Sequence, residues 1–134
     1  MINTLSLLQV TPEEGMWDLT IDGQRLPVCA DNSYHLTRYS LYLRGLMGTL
    51  DTPVLDSGRV PLYTCSCCGD ISCGGLAVRV GVENGIFTWS DFAWENDLQD
   101  AEPATEMADI TLLRFTQPNY LKVLNALYKK RIDH

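Results

Sequence analysis

Apolar and polar positions recur along this chain with periods that predict strands first and helices later. Residues 5–10 (LSLLQV) are a strand candidate, and Pro12 and Gly15 mark the turn that follows. Trp17, Leu19 and Ile21 then alternate with Asp18, Thr20 and Asp22, the period of two expected of a strand with one buried face. Asp22-Gly23 is a hairpin signal, because both central residues of a type I′ turn need positive φ. The return strand is QRLPVCA, and Pro27 places it at an edge.

The period then changes. Leu36, Tyr39, Leu43, Leu46 and Met47 form a helical stripe, with Asp31, Asn32 or Ser33 as caps and Gly48 as the stop, which predicts a helix over about 32–48. Residues 51–61 (DTPVLDSGRVP) read as a loop. Leu76, Val78, Val80 and Val82 alternate with Ala77, Arg79 and Gly81, Asn84-Gly85 turns the chain, and residues 86–91 return with Phe87 and Trp89 on one face. Residues 108–115 (ADITLLRF) are a last strand. Thr116 caps a final helix over about 117–131, Pro118 sits harmlessly in its first turn, and Lys129, Lys130 and Arg131 complement its negative end. The sum is a single α+β domain over 1–134: a mainly antiparallel sheet of about six strands with two helices.

Composition adds class and charge. The chain has 134 residues, 46% hydrophobic and 20% charged, which suits one folded domain rather than a disordered segment. No apolar run approaches the ~20 residues that span a bilayer. The first ten residues, MINTLSLLQV, hold no Lys or Arg and so lack the basic start of a secretion signal. A soluble, cytoplasmic protein in a reducing compartment is expected. The net charge is −7. Binding to phosphate polyanions or anionic membranes calls for a basic surface, so nucleic-acid and membrane partners are not expected.

The acids are unevenly placed. Residues 80–113 contain no Lys, Arg or His but hold Glu83, Asp91, Glu95, Asp97, Asp100, Glu102, Glu106 and Asp109. Trp89, Phe92 and Trp94 lie among them. Carboxylates around aromatic anchors suit the capture of a basic protein partner. Asp91, Trp94, Glu95, Asp97, Asp100, Glu102 and Glu106 are the candidate partner-binding residues. The bland alternative is a solvated acidic loop whose aromatics turn into the core.

Candidate chemistry centres on five cysteines: Cys29, Cys65, Cys67, Cys68 and Cys73. The odd number without a secretion signal argues against a disulfide framework. Cys65 and Cys68 have the C-x-x-C spacing of zinc knuckles and thiol-redox sites, but Gly69 and Asp70 start helices poorly, which weakens the redox reading. Structural zinc needs four N or S ligands. Cys65, Cys68 and Cys73 are the candidate ligands, completed by Cys67, Cys29 or His35. The alternatives are small buried thiols in a glycine-bent turn, or a Cys68–Cys73 disulfide. No cofactor, or zinc, is the expectation. No catalytic residue is assigned: nucleophile-elbow, phosphate-loop, dinucleotide and H-E-x-x-H motifs are all missing from the sequence.

The stretch 65–94 resembles a family of uncharacterised small bacterial proteins. Their pattern is a C-x-C-G-x-x-x-C turn, a V-x-V strand, a short turn and a strand ending aromatic-Ser-Asp-Phe. Here it reads Cys67/Cys68-Gly69-Asp70-Ile71-Ser72-Cys73-Gly74, Val78-Arg79-Val80 and Thr88-Trp89-Ser90-Asp91-Phe92, with one cysteine more in the turn. The resemblance covers under a third of the chain and implies a bacterial origin and a turn-plus-hairpin, with no established activity. Size, acidity and the acid–aromatic stretch together suggest an immunity- or antitoxin-like protein that neutralises a basic toxin. The alternative is a small zinc-binding or thiol-redox protein.

Overall fold

The computed structural model describes residues 1–11, 16–28, 33–66, 69–96 and 100–132. Among them lie nine strands and two α-helices, so the α+β class holds. Strands β1 (Leu5–Thr11), β2 (Met16–Ile21) and β3 (Gln24–Arg25) make a three-stranded antiparallel sheet in that order. Asp22 and Gly23 turn the β2–β3 hairpin at φ 54° and 85°, as a type I′ turn requires. The return strand is shorter than predicted and stops before Pro27, which has no N–H for a ladder.

The larger sheet runs β4 (Tyr34–Leu36), β5 (Val60–Cys65), β6 (Gly75–Glu83), β7 (Ile86–Glu95) and β8 (Glu102–Pro103), all antiparallel. Strand β9 (Leu112–Thr116) also pairs with β7, antiparallel, beside its Ile86–Ser90 half. The β6–β7 hairpin turns at Asn84 and Gly85, both at positive φ. One parallel bridge, Asn3 to Phe115, joins the start of the chain to β9.

Helix α1 (Ser40–Leu46) is much shorter than the 32–48 predicted. Tyr34, His35 and Leu36 are instead a strand paired with Cys65, Thr64 and Tyr63. Strand β5 is buried along Val60–Thr64, so the backbone groups on its outer edge need partners, and that requirement overrides the helical spacing of Leu36. Helix α2 (Gln117–Tyr128) matches its prediction more closely: the Thr116 hydroxyl accepts from Asn119 N at 3.4 Å and Pro118 sits in the first turn. Lys129, Lys130 and Arg131 lie just beyond the helix end. Residues 60 and 61, read as loop, belong to β5. Pro61 is tolerated there because the ladder with β6 bulges between Pro61 and Tyr63.

The core lies between the sheets and the helices. Leu5, Leu19, Leu43, Leu46, Leu62, Leu76, Leu124 and Leu127 are fully buried, with Trp89, Phe115 and Tyr120 at its centre. The Trp89 indole N–H donates to Tyr120 Oη at 2.9 Å, and that hydroxyl donates to Leu46 O at 2.6 Å. Asn119 on α2 holds β1 by accepting from Leu5 N and donating to Leu5 O. The two sheets meet at Asp18, whose carboxylate is wholly buried. It accepts from Leu19 N, from Arg25 Nε at 2.7 Å and from the Tyr63 hydroxyl on β5. Among the described residues no helix is long and apolar enough to cross a membrane.

Candidate functional site

The cysteine turn leaves β5 and re-enters the sheet as β6. Asp70 caps a 3-10 turn, Ile71–Cys73, by accepting from the backbone N–H and hydroxyl of Ser72. Ile71 is buried, and its N–H donates to the Tyr42 hydroxyl on α1 at 3.2 Å. Gly74 then takes φ 102°, a conformation side chains resist. Gly75 passes so close to β5 that a Cβ there would lie 2.3 Å from Tyr63 O. Gly74 therefore answers to the backbone conformation of this turn and Gly75 to its packing.

Cys73 is exposed and disulfide-bonded, and its partner lies outside the described residues. The sequence argued against a disulfide framework but left a Cys68–Cys73 disulfide as an alternative; Cys73 is in a disulfide, and Cys68 lies outside the described residues. In that state Cys73 offers no thiolate to a metal. Cys65 is a thiol, cross-strand from Tyr34. Cys68, with Cys67 and Cys29, lies outside the described residues, so the zinc set is not brought together among them. No group of three His, Cys, Asp or Glu among the described residues is arranged to hold a metal. His35 is exposed and alternates with Tyr34 and Leu36, which puts it on the other face of β4.

The acid–aromatic stretch divides at a bulge in β7. Arg79 pairs with Ser90 and Ala77 with Ala93, so Asp91 and Phe92 together stand opposite Val78. Asp91 absorbs the extra residue at φ 56°. Phe92 and Trp89, which lie among the acids in the sequence, are both in the core, as the alternative reading had it. The extra residue restores the parity, so Trp89, Phe92 and Trp94 share the face of Val80, Val78 and Leu76, and Trp94 packs at the edge of the core, half-exposed and tilted 48° against the Tyr34 ring at 5.2 Å. Its indole N–H donates to Glu106 Oε1 at 3.2 Å. The Glu106 carboxyl is held below the usual glutamate range, first by its own backbone N–H and then by Trp94.

The predicted acids fall into two groups. Asp91 and Glu95 are neutralised within the fold. Arg59 reaches Asp91 Oδ2 at 2.9 Å and Glu95 Oε2 at 3.4 Å, Arg79 reaches Asp91 at 3.2 Å, and the Ser57 hydroxyl donates to Glu95. This network ties the 47–59 loop to β7, and the hydrogen bond from Arg59 is the main reason the Asp91 carboxyl sits below its ordinary range. Asp100 and Glu102 are exposed, and among the described residues neither forms an ion pair. Asp97 lies outside the described residues.

These parts enclose a cleft of about 200 Å³. Gly74 and Gly75 form one side beside Cys73, Tyr34 and Trp94 supply the aromatic walls, and Glu95, Asn96, Asp100 and Glu102 complete the rim. The structure thus joins two features that are separate in the sequence, the cysteine turn and the acidic stretch. Tyr34 is the member that sequence reasoning missed; its position in an assumed helix concealed that it reaches Trp94. Two other hollows are larger but chemically blander. One of about 250 Å³ has Asp51 as the charged residue in its lining, and one of about 540 Å³ is edged by Glu83 and Arg114, whose charges oppose each other. Comparison with protein-family models, curated proteins and solved structures finds no match for this chain.

Proposed function

We propose that this is a non-enzymatic bacterial binding protein, immunity- or antitoxin-like, that acts in the cytoplasm by neutralising a basic protein partner. The observation that carries the reading is the surface around Trp94. An aromatic side chain is fixed between Tyr34 and Glu106, beside two exposed carboxylates, Asp100 and Glu102, that no cation of the described fold offsets. Rigid aromatics supply contact area at low entropic cost, and like-signed rim charges speed the encounter with an oppositely charged partner. The chain's charge of −7 adds to that field. Passing source-cell lysate over the immobilised protein should retain a basic protein at one-to-one stoichiometry. Its association rate should fall about tenfold or more between low and high salt. A rate indifferent to salt, or no basic protein retained, defeats the reading.

One observation favours a second reading, thiol or zinc chemistry at the cysteine turn: Cys73 is exposed and already oxidised, with the Cys65 thiol at the start of the same turn. Metal analysis of fully reduced protein purified without chelator separates the two. Near-stoichiometric zinc, lost together with folding on Cys65→Ser, would favour the second.

A further inference from the structure

We infer that the cleft lined by Tyr34 and Trp94 seats a single arginine side chain of the basic partner, an inference that rests on the function proposed above. Size comes first. About 200 Å³ is the room of roughly seven waters at ~30 Å³ each, enough for one long side chain and too little for a folded element. Gly74 contributes no side chain to one wall of this space, while Tyr34 and Trp94 supply its rings. A Cβ on Gly74 would point toward Glu95 O and Asn96, into the opening.

Charge selects the occupant. Among the described residues no Lys, Arg or His lines the cleft. Arg59, which reaches Glu95, also holds Asp91 through a second ion pair and donates to its backbone oxygen. Asp100 and Glu102 stand at the rim with no ion pair among the described residues. An anion entering here meets repulsion, and a cation meets two carboxylates beside two rings.

Between the two cationic side chains the geometry points to arginine. Its guanidinium is planar and weakly hydrated, and it stacks on aromatic rings while donating in pairs to carboxylates. A lysine ammonium is a compact, strongly hydrated point charge that gains less from a ring. Trp94 presents a fixed ring, because Glu106 holds its N–H and Tyr34 rests against it.

The test uses the full chain at low salt with two capped peptides of equal charge, hexa-arginine and hexa-lysine. Affinity is read by calorimetry and the Trp94 indole N–H by NMR. The arginine peptide should bind about fivefold or more tightly than the lysine peptide and shift the Trp94 resonance. Trp94→Ala should weaken the arginine peptide about tenfold and the lysine peptide little, while Trp94→Phe, which keeps a ring, should retain most of the affinity. The unaltered protein's NMR shift serves as the readout if Trp94→Ala does not fold. Equal affinities with an unmoved Trp94 resonance overturn the arginine seat but leave the binding function standing. No binding of either peptide overturns the function and the seat together.

Discussion

Asp91 does three jobs with one side chain. It carries the positive φ of the β7 bulge, it receives two arginines, and through the bulge it keeps Trp89, Phe92 and Trp94 on one face. Asp91→Asn keeps a residue that tolerates positive φ and removes only the charge. Urea denaturation at pH 7 should show a loss of about 0.5–1 kcal/mol, modest because the carboxylate is half-exposed and screened. The Asp91 pKa is lowered on folding, so its contribution is complete above the unfolded value near 3.8 and disappears as pH falls through the lower folded value. The difference between wild type and Asp91→Asn should therefore close only below pH 3.8. The sequence placed Trp89, Phe92 and Trp94 together beside the acids but could not say which would be at the surface. One inserted residue sets all three on the same face, with Trp94 at its edge, and a bulge leaves no mark on a pattern of period two.

Elements fixed by local chemistry were legible. Asp22-Gly23, Asn84-Gly85 and Thr116 with Pro118 each state their own geometry, and each stands where the pattern put it. Elements fixed by a distant partner were not. Strand β4 exists because β5 has an edge to satisfy, Pro61 is a strand residue only because β5 bulges, and β8 is two residues held by Ala93 and Trp94. The division into two sheets was likewise unreadable, since alternation says that a face is buried and not against what. The candidate site shared that fate: its acids and Trp94 were visible, while Tyr34 and the glycine wall needed the sheet order. The turn before β6 gives a direct test of the packing argument. Gly75→Ala forces a methyl against Tyr63 O, and the ladder on both sides leaves the backbone little room to yield. Thermal and urea unfolding should show a loss of about 2–3 kcal/mol, well above the effect of an exposed Gly→Ala change.

Across the whole molecule, charge is sorted as well as abundant. Asp91 and Glu95 brace a loop through Arg59, and Asp100 and Glu102, which form no ion pair among the described residues, stand at the cleft. The two sheets, by contrast, share one buried polar joint at Asp18. Tyr63→Phe deletes one of the donors to that buried carboxylate and should cost about 1–3 kcal/mol in urea denaturation. The joint also bears on how the protein comes apart. Releasing the three-stranded sheet alone would strip a wholly buried carboxylate of a partner on β5, so the small sheet has no inexpensive way to open by itself. Amide hydrogens of β2 and β7 should then exchange through the same opening event in the unaltered protein, and in Tyr63→Phe those of β2 should become the faster set. A peripheral hairpin is thereby enrolled in the cooperative unit of the core, and local fraying is shifted to the chain ends and loops.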